Sequence, residues 1–252
     1  ASDIAIGENY TQIVITGPNT GGKTVALKTL GLCVLLALSG FFIPSNENSE
    51  ICLVDSVFAD IGDEQSIAQS LSTFSSHMVN IAEILNTMDE NSLVLLDELG
   101  AGTDPSEGAA LAKAILKQVK NSGALSVATT HYNEIKQYAL TEPGVVNASV
   151  EFDTVNLRPT YRLLIGLPGK SNAFDISRKL GISEDIINEA SLDMEQNDVR
   201  FEDMITSLQN KLAETQQLND EARALKLENE KIKETLKSEL ERFNSTKDTQ
   251  YS

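Results

Sequence analysis

The chain reads as an α/β protein, a mostly parallel sheet flanked by helices, with a helical extension at its C-terminal end. Three observations predict this. Short apolar, β-branched runs alternate with helix-length segments over residues 1–195. A glycine-rich stretch joins the first such run to the first helix. Beyond residue 195, apolar residues recur mostly at steps of three and four with no Gly or Pro to interrupt them.

In order, residues 12–16 (QIVIT) form a buried strand and 21–38 the helix that follows the glycine-rich loop. Residues 51–58 are strand-like, and 74–88 carry helical apolar spacing. Residues 93–96 (LVLL) are a second buried strand, 106–119 a helix, and 125–128 a strand ending at Thr129. Strands are further expected at 147–153 and 160–164. Short helices are expected at 171–180 and 183–194, with Gly181 as the C-cap between them. Alternation of this kind implies parallel strands covered on both faces, with ligands at their carboxyl ends.

The tail carries apolar residues at Phe201, Ile205, Leu208, Leu212, Leu218, Ala222, Leu225, Ile232, Leu236, Leu240 and Phe243, with Thr215 and Asn229 at seam positions. That pattern predicts a coiled coil whose polar seam residue sets register. A single amphipathic helix packed on its own domain fits the same spacing. The organisation is therefore 1–195 for the α/β domain, 196–245 for a helical, coiled-coil-like extension and 246–252 for a disordered tail.

A hydrophobic content of 41% in 252 residues is enough for a substantial core. The longest apolar candidate for a membrane span, 30–38, is far below the roughly 20 residues required. There is no secretory leader pattern, and the start at Ala1 rather than Met suggests a piece of a longer chain. Cys33 and Cys52 lie in separate apolar stretches and read as small buried hydrophobes in a reducing, cytoplasmic setting. With two His and no paired Cys, structural zinc is not expected. The net charge of −17 excludes a surface that grips a phosphate backbone unaided.

The chemistry lies in four motifs. Residues 17–24, GPNTGGKT, match the G-x-x-x-x-G-K-[ST] phosphate loop in its required strand–loop–helix context. Its glycines let backbone N–H groups and the helix N-terminus face an anion. Lys23 should reach the β- and γ-phosphates, and Thr24 should ligate Mg²⁺. The site set is Gly17, Pro18, Asn19, Thr20, Gly21, Gly22, Lys23, Thr24 and Val25. Second, the strand LVLL delivers Asp97 to the Mg²⁺ shell and places Glu98 to act on water as a general base. Third, SLSTF at 70–74 opens a helix; Ser72 or Thr73 is either an ordinary N-cap or a γ-phosphate contact. Fourth, in ATTH at 128–131, His131 follows a strand, where a structural role and a γ-phosphate sensor are both open.

Together and in this order, the four motifs resemble the ABC-type ATPase domain of the MutS family. Such ATPases act as dimers, each site combining one subunit's phosphate loop with the other's signature serine. The resemblance implies ATP and Mg²⁺ as cofactors, Ser72 acting in trans, and Asn19 and His131 on the γ-phosphate. It also implies that 100–108 is the loop coupling the two sites. Gln65 falls where related ATPases place a metal- and water-sensing glutamine, although a plain polar loop residue fits equally well. His77 reads as structural.

Mismatch-repair MutS proteins carry Met at the position of Thr20 and Gly at that of Ser70, and G-R-G-T-S-T-x-D-G where this chain has GAGTDPSEG. The wording here, with NASVEFD and PTYRLLIGLPGKSNAF downstream, resembles the MutS type-two branch over roughly residues 3–195. That branch implies a clamp on branched DNA, in recombination suppression, or on stalled or collided ribosomes. The nucleic-acid contacts and the family's nuclease activity would lie in regions outside this chain, and no membrane is involved. A nucleotide-gated dimerisation module with incidental turnover is the competing function. A mismatch-repair motor stands behind it. A small-molecule phosphotransferase is disfavoured, because no acceptor-binding motif accompanies the loop.

Overall fold

The computed structural model describes residues 3–18, 21–62, 73–153, 156, 158–170 and 172–192. In the tail it describes 204–208, 210–211, 214–215, 218–219, 221–223, 225–226, 228–233 and 236–237. Among the described residues before 193 twelve elements follow one another: β1 (Gln12–Thr16), α1 (Lys23–Leu38), β2 (Ser56–Asp60), α2 (Thr73–Thr87), β3 (Ser92–Leu96), α3 (Pro105–Asn121), β4 (Leu125–Thr129), α4 (Asn133–Thr141), β5 (Val145–Asp153), β6 (Arg158–Ile165), α5 (Ala173–Lys179) and α6 (Glu184–Leu192). The strands form one sheet in the order β2-β3-β4-β1-β5-β6. All neighbours are parallel except β5 and β6.

The two-residue period of the strands divides the core. Ile13, Ile15, Leu93, Leu95 and Val127 face the side covered by α1, where they meet Leu27 and Val34. Val14, Val94, Leu96 and Ala128 face the side covered by α2, α3 and α4, against Ile81, Ile84, Ala112, Leu116 and Ile135. Of the two polar residues buried in β1, Thr16 donates to Ala148 O (3.3 Å), and Gln12 donates to Leu116 O (3.2 Å) and Ser126 Oγ (2.8 Å) and accepts from the Tyr138 hydroxyl (3.2 Å). Its polar atoms are thereby satisfied, as burial requires. α1 is apolar on its outer side as well, where Val25, Leu32, Leu35, Leu36 and Leu38 are exposed.

Several expectations need correction. The second strand begins at Ser56 rather than residue 51, because 51–55 run as a loop whose Asp55 N–H is held by Asn91 O at 2.8 Å. α4 was not foreseen; its buried Ile135, Lys136, Tyr138 and Ala139 are spaced helically, but they straddle polar residues that mask the apolar stripe. Cys52 is exposed and Cys33 only half-buried, so neither is a core residue. Both line a cleft of about 970 Å³ at the amino ends of β3 and β4.

The chain separates into two compact units, Ala1–Ile205 and Thr206–Ser252. The described residues of the second are helical, with Leu218, Leu225, Ile232 and Leu236 exposed. Among the described residues no helix is long and apolar enough to cross a membrane.

Candidate nucleotide site at the carboxyl ends of the strands

β1 ends at Thr16 and the chain turns at Gly17 (φ 121°) and Gly22 (φ 93°), left-handed conformations that favour glycine. α1 starts at Lys23 with Gly22 as its N-cap, no side-chain cap and no acidic residue in its first turn. A helix start of this kind is an anion site. Lys23 curls back over the loop, and its Nζ donates to Gly17 O at 2.6 Å. It is only 3% exposed. Burial pushes the pKa of its ammonium down, while Glu98 and Asp97 pull it up and Lys136 adds to the downward push. Thr24 is half-buried beside it, and Val25 is exposed.

The carboxylates arrive on β3. Asp97 is buried and accepts from Thr129 Oγ1 at 2.5 Å. The same Oγ1 accepts from Glu98 N at 2.8 Å. One hydroxyl on β4 thus orients both acidic residues of β3's end. Glu98 sits at φ 46°, a left-handed conformation costing about 1–2 kcal/mol in a non-glycine residue. Its side chain is half-buried.

β4 continues through Thr130, whose N–H donates to Ile15 O (3.2 Å), to His131. His131 remains exposed, with its ring tilted on Tyr132 at a centroid distance of 4.7 Å. Partial burial of that ring holds its pKa below the ordinary histidine value. The Lys23 and Lys136 cations act in the same direction, and Glu98 opposes them. The Tyr132 hydroxyl donates to Gly100 O at 2.8 Å, tying the 100–108 loop to the residue after His131.

Three contributors escaped the motif reading. Tyr161 is 58% exposed and its ring lies against Gly22; a Cβ there would stand 2.9 Å from Tyr161 Cδ1. It reaches that position through a bulge: Thr160, Tyr161 and Arg162 oppose only Glu151, between the pairs Phe152–Pro159 and Val150–Leu163. Tyr161 itself sits at φ 57°. Bulges beside sites commonly re-aim a side chain in this way. Gly169 lies flat on the loop: its N–H donates to Thr16 Oγ1 (2.7 Å), and a Cβ would stand 2.6 Å from Gly17 Cα. Lys136 is a buried cation whose charge reaches Lys23 and His131. Nothing in the spacing of the four motifs brings these three to the loop: Tyr161 and Gly169 lie in the PTYRLLIGLPGKSNAF stretch, and Lys136 is on α4, which the residue pattern does not predict.

The described site residues that come together are Gly17, Pro18, Gly21, Gly22, Lys23, Thr24, Val25, Asp97, Glu98 and His131. Asn19, Thr20, Gln65 and Ser72 lie outside the described residues. Among the described residues no three His, Cys, Asp or Glu side chains cluster as a metal cage. A Mg²⁺ arriving with a phosphate chain needs only one or two carboxylates, and the buried Asp97 could supply one.

A parallel sheet with this loop, buried lysine and carboxylate-bearing neighbour strand is of the P-loop nucleotide-binding class. The chain belongs to the MutS family: the family profile described as MutS domain V matches residues 13–197. It is 58% identical over 245 residues to a protein of Clostridium botulinum named Endonuclease MutS2, an alignment covering 97% of this chain and 31% of that protein. A protein of the same name from Geobacillus thermodenitrificans is 63% identical over 223 residues, covering 88% of this chain and 28% of the relative. One from Clostridium kluyveri is 56% identical over 246 residues, covering 98% and 31%. The chain spans less than a third of the length of these curated relatives.

Proposed function

We propose that this chain is the Mg-ATP-hydrolysing motor of a MutS type-two protein. The observation that carries the reading is the Thr129 hydroxyl that holds both Asp97 and the Glu98 backbone beside the buried Lys23 loop. That arrangement suits a hydrolase better than a passive nucleotide clasp, because it spends backbone strain on orienting Glu98.

The phosphate loop and the α1 N-terminus bind the phosphate chain, with Lys23 on the β- and γ-phosphates. Thr24 and Asp97 would hold Mg²⁺, which supplies charge neutralisation when bound. Glu98 orients the attacking water and accepts its proton. His131, neutral at pH 7, hydrogen-bonds the γ-phosphate region together with Asn19, and Gln65 reports on metal and water. Tyr161 and the exposed Val25, both beside Gly22, offer an apolar lip for the base. Ser72 completes the site of a second copy, so the active form is a homodimer.

The helical tail supports the same assembly. Its exposed Leu218, Leu225 and Ile232 fall at seven-residue intervals, with Asn229 at the intervening seam position. The nucleotide cycle drives a clamp on nucleic acid, either branched DNA or the ribosome, held by other parts of the protein. Glu98→Gln should lower kcat by about 10²–10⁴-fold while ATP still binds; wild-type turnover in that variant overturns the hydrolase reading. Trapped in ATP, the full-length Glu98→Gln protein should then either sediment with ribosomes or shift a four-way DNA junction, which separates the two partners.

A further inference from the structure

We propose that Asp60, His77 and Asn80 form a latch that positions helix α2 for the reaction, a role resting on the hydrolase reading above. Asp60 ends β2 and is nearly buried. Its two carboxylate oxygens take separate donors from one helix face: His77 Nδ1 to Oδ2 at 2.7 Å, and Asn80 Nδ2 to Oδ1 at 2.8 Å. A carboxylate oxygen accepts, so the Nδ1 hydrogen belongs to His77. Asn80 also reaches Ala59 O at 3.2 Å. Spaced three residues apart, His77 and Asn80 lie on the same side of α2.

The latch and the start of α2 each lead to a segment beside the acidic pair. The Asp60 carbonyl accepts from Asp97 N at 2.8 Å, so the strand end that carries the latch also sets the backbone of the metal-side carboxylate. In the first turn of α2, Phe74 packs on Gly102, whose added Cβ would stand 3.3 Å from Phe74 Cβ. Gly102 belongs to the loop that leaves Glu98. α2 is thus tied on one side to Asp60, whose carbonyl holds the Asp97 amide, and rests on the other against the loop after Glu98. It also begins directly after Ser72 in the sequence. Met78, Ile81 and Ile84 hold the helix against the core by apolar contacts, which have little directionality, and the bonds of His77 and Asn80 to Asp60 add a directional hold on its first half. His77 and Asn80 are therefore positioning residues.

Steady-state kinetics on the full chain, with nucleotide affinity measured separately, test this. His77→Ala should lower kcat about tenfold or more, as a displacement of around 1 Å near the chemistry does. KM and the Kd for ATP should stay within about twofold of wild type, because the phosphate loop is untouched. His77→Asn should recover most of the rate, since the Asn amide nitrogen stands where Nδ1 does. Asp60→Asn, which turns one acceptor into a donor facing a donor, should be as slow as His77→Ala. Hydrogen exchange of His77→Ala should quicken at residues 74–80 and not at 105–121. A wild-type kcat in His77→Ala, or His77→Asn as slow as His77→Ala, overturns the proposal. If wild type turns over no ATP, the hydrolase reading fails on its own and exchange decides the latch: unchanged rates at 74–80 overturn it.

Discussion

Thr129 is the residue on which the acidic pair depends. Its single hydroxyl donates to Asp97 and accepts from the Glu98 amide, so it fixes direction for both. Thr129→Val keeps the shape and β-branching but removes both bonds; a loss of roughly 1–3 kcal/mol in unfolding free energy is expected from the stranded buried partners. Chemical denaturation measures it. His131 gives a second prediction. Burial of its ring and the nearby Lys23 cation both disfavour the imidazolium. Its pKa should therefore lie below 6.5, the ordinary value. Turnover that needs the neutral ring should hold at pH 7 and be lost only as the pH falls through that lowered pKa. Removing the cation with Lys23→Met should move the midpoint up, read by NMR titration of the ring. A downward move would place Lys23 away from His131.

Elements matter here chiefly through where they end. β1, β3 and β4 all run parallel and stop at one level, which gathers Gly17, Asp97 and His131 although they are far apart in sequence. The β5–β6 pair works differently, contributing Tyr161 through a bulge and Gly169 through the loop beyond β6. Gly169→Ala should be strongly unfavourable, because its Cβ would press on the Gly17 backbone rather than on a side chain able to move. The expected result is about 1–3 kcal/mol of destabilisation, measured by denaturant unfolding, together with weakened nucleotide binding. Destabilisation with unchanged nucleotide affinity would show that the 166–170 segment supports the fold alone.

Across the whole molecule the governing fact is acidity, and the proposed dimer makes the site a shared one. A net charge of −17 works against binding a polyanion, so this chain alone should bind duplex DNA negligibly at physiological salt, as fluorescence anisotropy would show. ATPase per chain should rise with protein concentration until dimers saturate. Mixing Lys23→Ala with Ser72→Ala chains should restore part of the activity, since one of the two composite sites is then intact. No recovery would count against a signature serine acting in trans. Leu225→Lys with Ile232→Lys should lower self-association, read by sedimentation, if the tail pairs with a second copy.

The alternation of strands and helices, the phosphate loop and the carboxylates at the end of β3 were legible in the residues, because each is a local pattern. Short apolar runs choose strand, glycines permit the left-handed turn, and adjacent acids follow a buried LVLL. β1 and β3 accordingly fall at or within one residue of where the runs place them. The late start of β2, the unforeseen α4, the exposure of Cys52 and the roles of Thr129, Tyr161, Gly169 and the Asp60–His77 pair were not legible. Each depends on which distant segment lies alongside. That is a matter of strand order and packing, and a periodicity of two or of 3.6 says which face a residue takes without saying what it meets there.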